Sequence, residues 1–80
     1  MDHIEKFVLR LNPKLKNRVI DVMRRILSGS LRGLDIKALK GHHSIFRCRI
    51  GKVRIIFTRT ADNIPIILDA DFRDTIYKRH

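Results

Sequence analysis

In the first eleven residues, Ile4, Phe7, Val8 and Leu11 fall at i, i+3, i+4 and i+7. That spacing puts four apolar side chains on one face of a short helix. "NP" at 12–13 interrupts the pattern. Asn12 is a good N-cap, and Pro13 suits the first turn of a following helix, where the N–H it lacks would be unpaired anyway. The second helix gathers Leu15, Val19, Val22, Met23, Ile26 and Leu27 on one side, with Lys14, Lys16, Arg18, Asp21, Arg24 and Arg25 largely opposite. Ser28, Gly29 and Ser30 end it. The pattern predicts a helical hairpin, apolar inside and basic outside. Residues 29–44 read as a connector anchored by Leu31, Leu34, Ile36 and Leu39, with "GHHS" at 41–44 as a turn. His42 and His43 are adjacent loop histidines without the further ligands a metal site needs.

After residue 44 the period changes from 3.6 to 2. The stretch "FRCRIGKVRIIF" at 46–57 reads as a hairpin about Gly51-Lys52, since glycine at the first central position suits a type II′ turn. Phe46 then faces Phe57, Cys48 faces Ile55 and Ile50 faces Val53, all on the core side. On the other side Arg49 stands opposite Arg54, and Arg47 opposite Ile56. Ala61, Asp62 and Asn63 make the next turn. Ile64 to Ala70 is a nearly unbroken apolar run, as expected of a strand covered on both faces. The tail "DFRDTIYKRH" reads as a short helix or an extended end. The fold class is α+β: a helical hairpin packed on one face of a small antiparallel meander, with the arginine face open.

Composition narrows the function. Eighty residues allow one domain, 1–80. A hydrophobic fraction of 44% argues against disorder. No apolar run approaches membrane-spanning length, and the charged N-terminus lacks a signal-peptide core, so the expected location is cytoplasmic. The single Cys48 cannot form an internal disulfide and reads as a small core residue. Eighteen Lys and Arg against eight Asp and Glu give a net charge of +10. A field of that sign and size favours polyanionic partners.

Like charges facing each other across a strand pair destabilise a sheet by roughly 0.2–1 kcal/mol. Arginines gathered on one patch therefore ask for a reason. Exposed strand faces do carry cations to discourage edge aggregation. The other explanation is a phosphate site, because the planar guanidinium grips phosphate in bidentate fashion. Cleavage of RNA by its own 2′-OH also needs stabilisation of the extra charge at phosphorus, which convergent guanidinium groups supply. Arginine does not deprotonate in proteins and is a poor base. Tyr77 is a second candidate, as a base among cations, as a stacking platform for a base, or simply as cover for the sheet edge.

"LKG" at 39–41, "FRCRIGKVRIIF", an apolar strand and then "FRDTIY" together resemble the RelE/ParE superfamily of toxin–antitoxin toxins, and "KFVLRLNPKLKNRVIDVMRRI" resembles its helical hairpin. The family's first strand has no counterpart before the first helix, and Phe72 stands where many members have His. The resemblance implies the toxin of a type II toxin–antitoxin system: a ribosome-dependent, metal-independent mRNA endonuclease that leaves a 2′,3′-cyclic phosphate and inhibits translation, with no cofactor. It implies catalytic roles for Arg47, Arg49, Arg54, Arg73 and Tyr77, with Arg54 and Arg73 at the phosphate and the leaving group. Arg47, Arg49, Lys52, Lys40, Lys78 and Arg79 would contact RNA. His80 could stand in for the absent histidine. The implied partners are an antitoxin with an acidic, partly disordered segment, the ribosome and mRNA. A ParE-like gyrase poison and an inactive, antitoxin-binding relative are the alternatives.

Overall fold

A computed structural model describes residues 2–41 and 43–80. Helix α1 spans His3–Arg10, capped by Asp2, whose carboxylate accepts the Glu5 N–H at 2.9 Å. Asn12 caps α2 (Pro13–Ser28) by accepting the Leu15 N–H at 2.9 Å, with Pro13 in the first turn. Gly29 ends α2 in the left-handed region at φ 78°, where a side chain would be strained. Four strands follow: β1 (Asp35–Ala38), β2 (Ile45–Ile50), β3 (Val53–Arg59) and β4 (Pro65–Phe72), then a one-turn helix α3 (Arg73–Ile76). The sheet is antiparallel throughout, in the order β1-β2-β3-β4.

The predicted hairpin register is the observed one: Phe46 pairs with Phe57, Cys48 with Ile55, Ile50 with Val53, and Arg49 with Arg54. Gly51 takes φ 55° while Lys52 keeps a negative φ, as a type II′ turn requires. Alternation sends Cys48, Ile50, Val53, Ile55, Phe57 and Ala70 toward the helices, where they join Phe7, Val8, Leu11, Val19 and Ile26 in one core. Phe46 and Phe57 stack with ring centroids 5.5 Å apart. Phe7 meets Phe72 edge-on at 5.1 Å, fixing α1 to the end of β4.

The sheet departs from the expected one in three ways. It has four strands rather than three, because part of the supposed connector becomes β1. "DIKA" is too short and weakly alternating to announce itself, and it becomes a strand by pairing with β2. The apolar run at 64–70 is an edge strand and is not covered on both sides. A bulge opposite Ile56/Phe57 shifts its register, and Ile64, Ile66 and Leu68 stand exposed. The arginine face is also only half open. Ile56 points to that side and is fully buried, as is Ile76, yet neither belongs to the main core. They are buried where α3 packs back on β3 and β4. The expectation for His42 lies outside the described residues; His43 is exposed.

Candidate nucleic-acid interface

The face opposite the helices is built by the alternate residues of all four strands. Across it run Asp35 and Lys37 on β1, Arg47 and Arg49 on β2, Arg54 and Ile56 on β3, and Asp69 and Asp71 on β4. Their register partners are Asp35–Arg49, Lys37–Arg47, Arg49–Arg54, Arg47–Ile56, Arg54–Asp71 and Ile56–Asp69. The arginines are therefore flanked by acids on both sides. Three carboxylates temper the like-charge contact expected across the hairpin.

Asp35 does most of this for β2. Its carboxylate lies 2.9 Å from Arg49 Nε and 3.2 Å from an Arg47 terminal nitrogen, which also donates to the Asp35 carbonyl at 3.3 Å. Desolvation pushes the Asp35 carboxyl up, but the Arg47 hydrogen bond and the charges of Arg49, Arg47 and Lys37 outweigh it and hold the group below the usual carboxylate range. Arg47 is left half-buried, whereas Arg49 keeps more than half of its side chain in solvent.

Arg54 is the unusual cation, only 6% exposed. It donates to the Gly51 carbonyl at 2.7 Å and to the Val53 carbonyl at 3.0 Å, so its guanidinium is fixed against the β2–β3 turn. Arg73 approaches the same turn from α3, its backbone N–H donating to the Lys52 carbonyl at 2.8 Å. Its side chain is exposed and lies 3.5 Å from the still more exposed Asp74, a pair worth little in water. Tyr77 follows one turn later, closing α3 with its ring exposed. Arg49, Lys52, Arg54 and Arg73 are thus brought to one end of the sheet around the Gly51-Lys52 turn, with Tyr77 on the helical turn beside it. This arrangement can hold a phosphate between a fixed, buried guanidinium and exposed ones.

Other residues expected at an RNA surface lie elsewhere. Lys40 sits in the β1–β2 connection, at the far end of β2 from Lys52. Lys78 is exposed beyond α3. Arg79, expected to reach RNA, turns inward to Asp69 and Asp71, and His80 joins it on Asp69. A cleft of 540 Å³ opens beside that ion-pair cluster, lined by Asp2, His3, Ile4, Leu68, Asp69 and Arg79. Cys48 is wholly buried in the core, and burial pushes its thiol up from its ordinary value, as expected of an inert structural cysteine.

Sequence reasoning overlooked Asp35, Asp69 and Asp71. A signal was present for the last two: acids at i and i+2 in an apolar strand share one face, and that face had to meet Arg54 and Ile56. Asp35 carried none, because it fell in a stretch not read as a strand.

No protein-family model matches the sequence, and no curated protein matches it. Among solved structures, a chain of the RelB–RelE antitoxin–toxin complex from Methanococcus jannaschii superimposes with a TM-score of 0.78 at 22% identity. The match covers 99% of this chain and 94% of that one. The two folds correspond almost end to end, and this chain has the RelE-like fold.

Proposed function

We propose that this protein is the toxin of a toxin–antitoxin pair and acts as a ribosome-dependent endonuclease on mRNA. The observation that carries this reading is the convergence of Arg49, Lys52, Arg54 and Arg73 on the β2–β3 turn, on a fold shared with a RelB–RelE complex. An RNA phosphate seated there would meet Arg54, held rigid by two backbone carbonyls, and Arg73, free to follow the charge as it develops. The 2′-oxygen attacks phosphorus, the bond to the 5′-oxygen breaks, and a 2′,3′-cyclic phosphate and a 5′-hydroxyl result. The proton leaving the 2′-hydroxyl goes to a base, a role assigned to Tyr77, and the 5′-oxygen takes a proton from solvent or from the cationic cluster. Arg47 and Arg49 serve as backbone contacts, and their hold on Asp35 sets their direction. The partner is an antitoxin whose acidic segment neutralises this face, as the net charge of +10 invites.

One feature favours a second reading, an inactive relative that binds an antitoxin alone: Arg47 and Arg49 are already engaged by Asp35. Induced expression separates the two. The endonuclease reading expects growth arrest, with primer extension revealing mRNA ends within codons on ribosomes, and loss of both in Arg54→Ala and Tyr77→Ala. Arrest with intact mRNA, or cutting undiminished in both variants, overturns it.

A further inference from the structure

A dense polar assembly lies beside the arginine cluster and joins α1 and the segment after α3 to β4. Asp69 and Asp71, on the same side of β4, are 6% and 7% exposed. Arg79 grips Asp69 with two parallel donations, Nε and Nη2 at 3.0 Å each, and Nη2 also reaches Asp71 at 3.0 Å. His80 Nε2 lies 2.9 Å from Asp69. His3 Nε2, from the first turn of α1, lies 3.1 Å from Asp71 and 3.5 Å from Asp69. The N–H groups of Ala70 and Phe72 complete the set, at 2.8 Å and 2.7 Å. Buried carboxylates are strongly destabilising when a partner is missing, and two-point Arg–carboxylate geometry is the strongest way to satisfy them. Arg79 and His80 together make four side-chain hydrogen bonds to Asp69 and Asp71.

What this clasp holds is α3. A helix of four residues has no independent stability, and α3 has no side-chain N-cap. Its first residue is tied by the Arg73 N–H to the Lys52 carbonyl, its last by the burial of Ile76, and the turn that follows by Arg79. Arg73 stands at the first of these ties and Tyr77 between the last two, both exposed.

We propose that the Arg79–Asp69–Asp71 clasp is a positioning device that holds α3 on β3 and β4, and with it Arg73 at the β2–β3 turn and Tyr77 one helical turn on. Its catalytic consequence rests on the endonuclease reading; its structural consequence does not. Arg79 is a positioning residue and contacts no RNA.

Tyr77 is the only tyrosine and the chain has no tryptophan, so intrinsic fluorescence reports that residue alone. In Arg79→Ala, acrylamide, a neutral quencher, should reach Tyr77 more readily, while far-UV circular dichroism keeps the helices and sheet. In ribosome-dependent cleavage the same variant should lose roughly 100-fold in kcat, the scale of a small misplacement of reacting groups. KM for ribosomes should stay unchanged, since RNA contacts are not removed. Arg79→Lys, which can donate to Asp69 but not in fork geometry, should recover part of both. If Arg79→Ala does not fold, Arg79→Lys carries the test alone, with an intermediate rise in quenching expected. Unchanged quenching overturns the clasp, as does a rise in KM with kcat intact, the signature of a direct RNA contact. A wild-type protein that cuts no mRNA refutes the endonuclease reading and leaves the quenching comparison to decide the clasp.

Discussion

On the side of the sheet toward the helices, Cys48, Ile50, Val53, Ile55, Phe57 and Ala70 are at most 3% exposed and need no polar partner. On the other side the same strands carry cations and acids among the isoleucines Ile45, Ile56 and Ile66, and burial of the charged groups there is bought with ion pairs. Neighbouring residues on β3 make the contrast sharp: Ile55 and Ile56 are equally buried, yet Ile55 belongs to the main core and Ile56 sits under a single helical turn. One face is secured by area, which is insensitive to detail. The other is secured by geometry, and so it can be both ordered and open to a ligand.

The largest effect expected from this contrast is on the core side. Ile55→Ala should cost about 2–5 kcal/mol in urea unfolding, a large part of the ~5–15 kcal/mol that holds a small domain together. Ile56→Ala should fall near the lower end of that range, because a one-turn helix can settle into the space left. Equal losses at the two positions would mean that the second face is a core in its own right.

Arg54→Ala comes next. It strips a donor from the Gly51 and Val53 carbonyls and leaves Asp71 facing no cation on β3. About 1–3 kcal/mol of stability should go with it. Binding of a short single-stranded RNA should weaken far more than in Lys40→Ala, whose residue stands at the far end of β2. Equal losses would dissolve the distinction between a site at the turn and a basic surface at large.

How much of this was legible follows the same division. The hairpin register could be read residue by residue, because strict alternation about a glycine turn leaves one consistent pairing. Both helix caps could be read too, since Asn12-Pro13 and Gly29 act locally. The polar face could not, because its meaning depends on pairing between distant segments. Arg49 finds Asp35 only once 35–38 has become a strand, and Arg79 finds Asp69 and Asp71 only once the tail has folded back. Ile64, Ile66 and Leu68 misled for a related reason, as hydrophobicity alone does not tell an edge strand from a central one.

The acid limits of the two faces should also differ. Burial raises Asp69, but hydrogen bonds from Arg79, His80 and the Ala70 N–H together outweigh it and hold its carboxyl below the usual range. A carboxyl depressed on folding contributes its stability fully above the unfolded value and loses it as pH falls through the folded one. The clasp should therefore stay closed throughout neutral and mildly acidic pH. It should release, with Tyr77 gaining exposure to quencher, only below the ordinary carboxylate range. The apolar core has no such term and should hold its circular dichroism to lower pH than the clasp. Release at or above the ordinary carboxylate range instead would mean that Arg79 does not hold Asp69 ionised.

Asp35→Asn tests the smallest difference, between cations spent inside the fold and cations left for a ligand. Asp35 is depressed by its arginines and so ionised at neutral pH, where it competes directly with any phosphate for Arg47 and Arg49. It lies on an exposed edge strand outside the core, and its loss should leave the unfolding midpoint unchanged. Asparagine keeps the shape and one acceptor but gives up the charge. Affinity for single-stranded RNA should rise, and the plot of log K against log salt should steepen by about 0.7 for each arginine that gains a phosphate. A steeper slope would identify Asp35 as a brake on the polyanion site. An unchanged slope would mean that Arg47 and Arg49 belong to the architecture of the sheet, leaving the site to Lys52, Arg54 and Arg73.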